Sequence, residues 1–355
     1  MKVLALNSSA RTGSNSKTEL MLNHLVKGMR QAGAEVETIN LREKKIKVCI
    51  GCYNCWTKTP GRCIHQDDMT EELFSKWLAA DICIYATPLF HHTVNATMKI
   101  FLERTLPIHE PFLIEKDGRW MHPLRHKHSA AVVLSVAGFP TMYAFTGLSH
   151  YVNFLFDEEE GRLIAEIYRP GAEYLLQSSN KGTDVFEATE IAGTELVNNR
   201  KVSPETLARI QQPLSDTEED FSEFANCMWR TCIEGGITRR KYEKNDMIPR
   251  PDSLKTFMLV FANGFNPDNA KDTKAIIQFD FSGQIKGSCH FIISNGTINA
   301  EMGPAEKPDL TINVPFDLWM DITTGKADGT QMFMEEKYTA EGDLDLLVNM
   351  GKLFG

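Results

Sequence analysis

Lys2-Val3-Leu4-Ala5-Leu6-Asn7-Ser8-Ser9-Ala10-Arg11-Thr12-Gly13-Ser14-Asn15-Ser16 decides the fold. Residues 2–6 read as a short buried strand and the polar run 7–16 as a loop. Leu20, Met21, Leu25, Val26 and Met29 then recur at helical spacing, with a stop expected at Gly33. A strand resumes over 35–41 and a helix covers 70–80. Short apolar runs at 81–86, 129–136 and 162–168 suit buried parallel strands. Strands alternating with helices specify the α/β class, here a doubly wound parallel sheet of five strands with helices on both faces. The polar loop leads into a helix N-terminus, where unpaired amides and the helix dipole favour an anion. Hydroxyls of Ser8, Ser9, Ser14 and Ser16, the Asn15 amide and the Arg11 guanidinium add donors suited to a phosphate. The loop has neither P-loop nor Gly-x-Gly-x-x-Gly spacing, so on its own it reads equally as a solvated βα connection.

The chain has 355 residues, 42% of them hydrophobic, which is room for two domains with cores of their own. A net charge of −9 argues against a nucleic-acid binder, because no surplus of Lys and Arg is available for phosphates. The longest nearly apolar run, 130–140, is far short of a membrane span, and residues 1–7 turn polar too early for a signal peptide. A cytoplasmic protein is expected. Ser203-Pro204-Glu205 and the capping-box spacing Ser215-Asp216-Thr217-Glu218 announce two helices. Residues 235–253 are poor in large apolar side chains, with Arg239-Arg240-Lys241, Pro249 and Pro251. The expected division is therefore a first domain over 1–238, a linker over 239–252 and a second domain over 253–355. Beyond a helix-like start at 253–263, strands at 275–281, 288–293, 297–300 and 309–314 precede helices at 316–324 and 343–353, an α+β pattern.

Four of the eight cysteines, Cys49, Cys52, Cys55 and Cys63, fall within fifteen residues. Thiolates at this spacing can converge on one metal centre, with Gly51, Pro60 and Gly61 supplying the turns. The residues leave three readings: a 4Fe–4S cluster, a tetrahedral zinc site, or reduced thiols without metal. Cys83, Cys227, Cys232 and Cys289 read as core thiols, and His65, His91 and His92 as loop histidines.

Ser9-Ala10-Arg11 followed by Asn15-Ser16 resembles the phosphate loop of NADPH-dependent FMN reductases, with Ser8 where that family often has Gly. Ala86-Thr87-Pro88-Leu89-Phe90 through Thr93-Val94-Asn95, Met98-Lys99 and Arg104 is similar to its flavin loop and following helix, and Ser135-Val136-Ala137-Gly138 is a third candidate loop. The resemblance implies a flavodoxin-like fold and FMN as cofactor. Ser9, Arg11, Ser14, Asn15 and Ser16 would hold its phosphate. Thr87, Pro88, Leu89 and Phe90 would line the ring, with backbone amides at its polar edge, and Ser135 and Gly138 would complete the site. The cysteine segment resembles that of iron–sulfur flavoproteins, a branch of the same group, which implies Cys49, Cys52, Cys55 and Cys63 as ligands of a 4Fe–4S cluster. The spacing to Cys63 is at the long end of that pattern. Gly61-Arg62-Cys63 through Asp67-Asp68-Met69 also matches FMN reductases without a known cluster.

Residues 253–355 resemble the sterol carrier protein type-two family, through 275–283, Pro308-Asp309-Leu310-Thr311-Ile312, Phe333-Met334, and Glu341-Gly342-Asp343 before the last helix. The implied domain is a five-stranded sheet with helices enclosing an apolar tunnel. Phe279, Phe281, Phe291, Ile293, Trp319 and Met320 could line that tunnel or fill a dry core. Taken together, the resemblances imply an NAD(P)H-dependent FMN oxidoreductase and homo-oligomer. It would pass electrons, through a cluster if one is present, to a quinone, lipid-like or other acceptor, with a lipid ligand in the second domain. An electron-carrier flavoprotein without its own substrate, and a lipid-binding or sensing protein with a vestigial first half, are the rival readings.

Overall fold

In the computed structural model, residues 1–116, 118–156, 162–176, 179–245, 247–270 and 273–354 are described. The chain divides into two compact units, 1–214 and 215–355. The first contains β1 (Lys2–Asn7), α1 (Lys17–Gln31), β2 (Glu35–Asn40), α2 (Phe74–Ala79), β3 (Ile82–Pro88) and α3 (Ala96–Glu103). A hairpin of β4 (Ile114–Lys116) and β5 (Arg119–Met121) follows. Then come β6 (Ala130–Val136), α4 (Thr146–Phe156), β7 (Leu163–Arg169), α5 (Ser179–Asn199) and α6 (Pro204–Gln211).

Strands β2-β1-β3-β6-β7 form one sheet in that order, every pair parallel. The central strands are buried on both faces, which is why they read as unbroken apolar runs. Alternate side chains go to opposite faces. Leu4, Leu6, Cys83, Tyr85, Ala131 and Val133 meet Trp77, Phe101, Leu148 and Val152 of α2, α3 and α4. On the other face α1 lies against β1, β3 and β6, and α5 packs on α1. That crossing is close: a Cβ on Gly28 would stand 1.8 Å from the Glu190 carbonyl oxygen. The 21-residue α5 and the β4–β5 hairpin were not foreseen from the sequence.

The second unit contains α7 (Glu218–Glu234), α8 (Arg239–Lys244), α9 (Leu254–Asn263), β8 (Ala275–Ser282), β9 (Gly287–Ser294), β10 (Thr297–Met302) and β11 (Leu310–Pro315). It closes with α10 (Phe316–Thr323), α11 (Gly329–Met334), β12 (Thr339–Gly342) and α12 (Leu344–Leu353). Its five strands run β10-β9-β8-β11-β12, with β8 and β11 parallel and the other pairs antiparallel. Phe257 of α9 stands edge-on to Phe279, Phe281, Phe291 and Phe316 at the centre of the core. Beside that core is a cavity of about 560 Å³, with Phe257, Phe261, Trp319, Phe333, Leu347 and Val348 in its wall. Of the six aromatic and aliphatic residues singled out in the sequence, Trp319 alone lines this cavity; the other five belong to the core.

Residues 215–252 go with the second unit: α7 packs on α9, and Arg250 pairs with Asp321 at 2.7 Å. The stretch expected as linker, 239–252, contains α8, capped by Thr238. At the start of α7 the cap is Thr217, which accepts from the Asp220 amide, rather than Ser215. Among the described residues no helix is long and apolar enough to cross a membrane.

The crossing of α1 and α5 gives the first expected outcome. Replacing Gly28→Ala should lower the free energy of unfolding by about 3 kcal/mol, because the methyl meets backbone that cannot swing aside. Urea titration of the two proteins measures the difference.

Candidate functional site

Three loops leave the carboxyl ends of β1, β3 and β6. In the first, residues 10–15 are exposed around a short 3-10 turn over Gly13–Asn15. Arg11 reaches to 3.9 Å from Glu173, and the Lys17 ammonium donates to the Ser14 carbonyl at 2.9 Å. Ser14, Asn15 and Arg11 therefore face solvent at the helix entrance. Ser9 and Ser16 turn inward: the Ser16 hydroxyl donates to Ser9 Oγ at 2.8 Å, Ser9 Oγ accepts from the Arg11 amide, and Ser16 caps α1. These two hydroxyls shape the loop.

In the second loop, Phe90 and Thr93 exchange both backbone hydrogen bonds at 3.0 Å, so His91 and His92 form a two-residue turn. Both have positive φ, 46° and 62°, a costly conformation for residues with a Cβ. Phe90 is exposed as a result. The expected free amides at a ring's polar edge are not there: Leu89 N–H donates to the Val136 carbonyl and Phe90 N–H to Thr93, because β3 extends through Pro88 before the turn closes on itself. Thr87 Oγ1 accepts from the Asn95 amide. Asn95 does more than the sequence indicated. Its Oδ1 caps α3 and its Nδ2 donates to the Ser8 carbonyl at 2.7 Å, tying the first loop to the second.

At the end of β6 the Ser135 hydroxyl is buried without a hydrogen-bond partner, and in the third loop Gly138 is exposed. Phe139 and Tyr143 are also exposed. His92, read in the sequence as a loop-surface residue, bridges the second and third loops. Its Nδ1 lies 2.9 Å from the Ala144 carbonyl and its ring stacks on Phe139 at 6.0 Å. A signal existed only in the adjacent Phe90, His91 and Thr93, which mark no turn by composition.

The cysteine segment forms a second site. Cys49, Cys52, Cys55 and Cys63 line one small cavity with His65, Arg104 and Pro107. Gly51 and Gly61, at φ of +63° and +80°, make the turns that bring them together. Burial, and then the neighbouring sulfurs of Cys63, Cys49 and Cys52, push the Cys55 thiol up, whereas hydrogen bonds from the backbone and then the side chain of Asn54 lower that of Cys52. Arg104 is buried beside them, with its guanidinium on Cys63 and on both oxygens of Asp67, at 2.6 and 3.0 Å. It also donates to the Lys47 carbonyl and the Thr70 hydroxyl. Its Nε, like Nε2 of His65, has no partner. Among the described residues no group of three or more His, Cys, Asp or Glu side chains is arranged to hold a metal ion.

Residues 1–150 match the family model for NADPH-dependent FMN reductase, and residues 261–355 match that for the SCP-2 sterol transfer family. The two matches fall on separate parts of the chain. An iron-sulfur flavoprotein of Archaeoglobus fulgidus is 37% identical over 119 residues, 33% of this chain and 52% of that protein. Human hydroxysteroid dehydrogenase-like protein 2 is 28% identical over 123 residues, 34% of this chain and 29% of that protein. The structure of an FMN-dependent NADH-azoreductase from Bacillus anthracis, solved with FMN, aligns at 14% identity and a TM-score of 0.43 over 56% of this chain and 99% of its own. The chain spans about half the length of the iron-sulfur flavoproteins it matches.

In the first unit, Asp67 and Arg104 form a buried pair beside the cysteines. Burial opposes the Asp67 charge, but Arg104 and the amides of Lys47 and Thr70 outweigh it and hold the carboxyl at about 2. Its folded value is depressed, so the stabilisation is present above the ordinary carboxylate range and is lost as pH falls from about 4 toward about 2. Asp67→Asn leaves Arg104 buried and uncompensated. It should cost about 3–5 kcal/mol near neutral pH and remove much of the acid-limb slope, both readable from urea midpoints across pH.

Proposed function

We propose that the first unit binds FMN and oxidises NAD(P)H, that Cys49, Cys52, Cys55 and Cys63 hold a 4Fe–4S cluster, and that the second unit receives an uncharged apolar ligand. The observation that carries the reading is the placement of the three loops. They sit at the carboxyl ends of β1, β3 and β6, where the order β2-β1-β3-β6-β7 reverses direction, the crevice in which open α/β sheets bind ligands.

The residues fit FMN. The exposed loop over 10–15 presents Arg11, Ser14 and Asn15 at a helix entrance, where a phosphate is favoured. Ser9 and Ser16 keep that loop in shape. Ser135 holds a buried hydroxyl that lacks a partner, and Phe90, Phe139 and Tyr143 offer flat apolar surface for a planar ring. The same reading takes Thr87 to Phe90 and Gly138 as neighbours of the ring. When bound, FMN supplies hydride acceptance from NAD(P)H and delivery of electrons to an acceptor, and a 4Fe–4S cluster supplies single-electron transfer. The task left to the chain is to bind, orient and exclude water. His91 and His92 need not act as bases for that.

The cysteine cavity fits a cluster by the chemistry of its donors. Four thiols surround one space, the Arg104 charge offsets thiolate charge, and the partnerless nitrogens Arg104 Nε and His65 Nε2 are placed to serve sulfur acceptors. An all-sulfur donor set of four cysteines at close sequence spacing suits a 4Fe–4S cluster. The cavity of about 560 Å³ in the second unit has no charged residue among its described wall residues, which suits a quinone or lipid-like molecule rather than an ion. The same reading takes the protein as cytoplasmic and homo-oligomeric.

Anaerobic purification with absorbance, iron and sulfide analysis should give about one FMN and about four iron per chain, with bleaching on addition of NAD(P)H. A colourless protein that FMN cannot reconstitute overturns the flavin reading, and flavin without iron overturns the cluster. Ser135→Ala separates a flavin contact from a structural role by sign. Removing a partnerless hydroxyl should stabilise the flavin-free protein by about 1 kcal/mol while weakening FMN binding by about fivefold.

A further inference from the structure

The loop after β1 is held by a side chain from outside it, Arg42. This residue lies in a short 3-10 turn, Leu41–Glu43, directly after β2. Strands β1 and β2 pair in register as far as Asn7 and Asn40, and Leu41 is buried, so the turn is anchored beside the loop. The Arg42 side chain is mostly covered, 18% of it exposed. Its Nη1 stands 3.3 Å from the Ser9 carbonyl, 3.4 Å from the Arg11 carbonyl and 3.0 Å from Glu19 Oε2. These three acceptors share the hydrogens of one guanidinium nitrogen. Nη2 is 3.4 Å from the exposed Glu43.

The backbone from Ser9 to Gly13 alternates in what its amides do. Those of Ser9, Arg11 and Gly13 are spent within the unit, on Asn7 Oδ1 at 3.0 Å, Ser9 Oγ at 3.2 Å and Glu19 Oε1 at 3.5 Å. Those of Ala10 and Thr12 have no partner among the described residues. In a trans peptide the C=O of one residue and the N–H of the next point in opposite directions. Arg42 draws the Ser9 and Arg11 carbonyls inward, so the Ala10 and Thr12 amides are turned outward, and both residues are exposed. Free backbone amides turned to one side of a loop are donors for an anionic oxygen. Arg42 also balances the carboxylate of Glu19, the third residue of α1. Arg11, by contrast, is exposed and reaches toward Glu173.

We propose that Arg42 is the positioning residue of this loop: by holding the Ser9 and Arg11 carbonyls it keeps the Ala10 and Thr12 amides turned out to receive the phosphate of FMN. The proposal rests on the FMN reading above and adds to it the residue that shapes the phosphate contact. Arg42 acts through the loop backbone, so its removal is felt at the phosphate and not at the flavin ring.

Titration of the flavin-free full chain with FMN and with riboflavin, which lacks the phosphate, followed by flavin fluorescence, tests this. The wild-type chain should prefer FMN by about tenfold or more. Arg42→Gln should remove most of that preference by weakening FMN, with riboflavin affinity kept within about twofold, which also shows the variant to be folded. Arg42→Lys should lose less, because it keeps the charge and loses the fork. Glu19→Gln combined with Arg42→Gln should keep most of the loss, since the loop carbonyls are still unheld. Full recovery of FMN affinity in that double variant would show that Arg42 only balances Glu19, and would overturn the proposal. An equal loss of both flavins, or an unchanged preference for FMN in Arg42→Gln or in an Arg42→Lys protein with the wild-type thermal midpoint, overturns it too. A wild-type chain that binds neither flavin overturns the FMN reading and this proposal with it, whereas one that binds both equally overturns only the loop's part in holding phosphate, Arg42 included.

Discussion

The reversal of strand order between β1 and β3 is the constraint on which the rest of the first unit depends. From β1 the chain crosses over α1 to β2 on one side, and later returns to β3 on the other. Because each crossover in a parallel sheet has the same hand, the loops after β1 and β3 leave in opposite directions and a crevice opens between them. Nothing in either loop has to create that opening. Their residues have only to furnish it.

Polar side chains hold the crevice in shape. Asn7 is fully buried, with Nδ2 donating to Asn40 Oδ1 and Oδ1 accepting from the Ser9 amide, so the end of β1 is tied to the end of β2. Asn95 ties Ser8 to α3 across the opening. Such a network is stable only when complete, since each unmet buried group carries a desolvation cost. The Ser135 hydroxyl is an exception at the crevice, and it is where FMN is proposed to bind. The Asp67–Arg104 pair is different. It is satisfied on the carboxylate side and leaves only one guanidinium nitrogen over, beside the cysteines.

Much of this was legible in the sequence. All five strands of the first sheet and four of the second are legible because central strands are continuous apolar runs and edge strands sit between turn residues; the short β12 is not. The Ser203 cap was equally plain. The helix α5 was not. Its sequence is rich in Thr, Glu and Asn, and its apolar positions are partly Ala and Gly, chosen for a close approach to α1 rather than for a broad oily stripe. The hairpin β4–β5, with exposed Phe112, Leu113 and Trp120 around it, has no regular burial pattern to betray it. The expected linker failed to show α8 for the same reason: six residues, five of them charged, with only Tyr242 buried.

By itself, the sequence determined the two classes of architecture, the three loops and the grouping of four cysteines, because each is written in local patterns of burial, turn residues and spacing. Tertiary structure decided which hydroxyls point inward, that the amides after β3 are already used, and that Arg104 lies beside the cysteines. It also decided that Arg42 reaches the carbonyls of Ser9 and Arg11. These depend on contacts between residues tens of positions apart. Only the packed chain sets the distance and burial that turn a polar side chain into a cap, a counter-charge or an unmet donor.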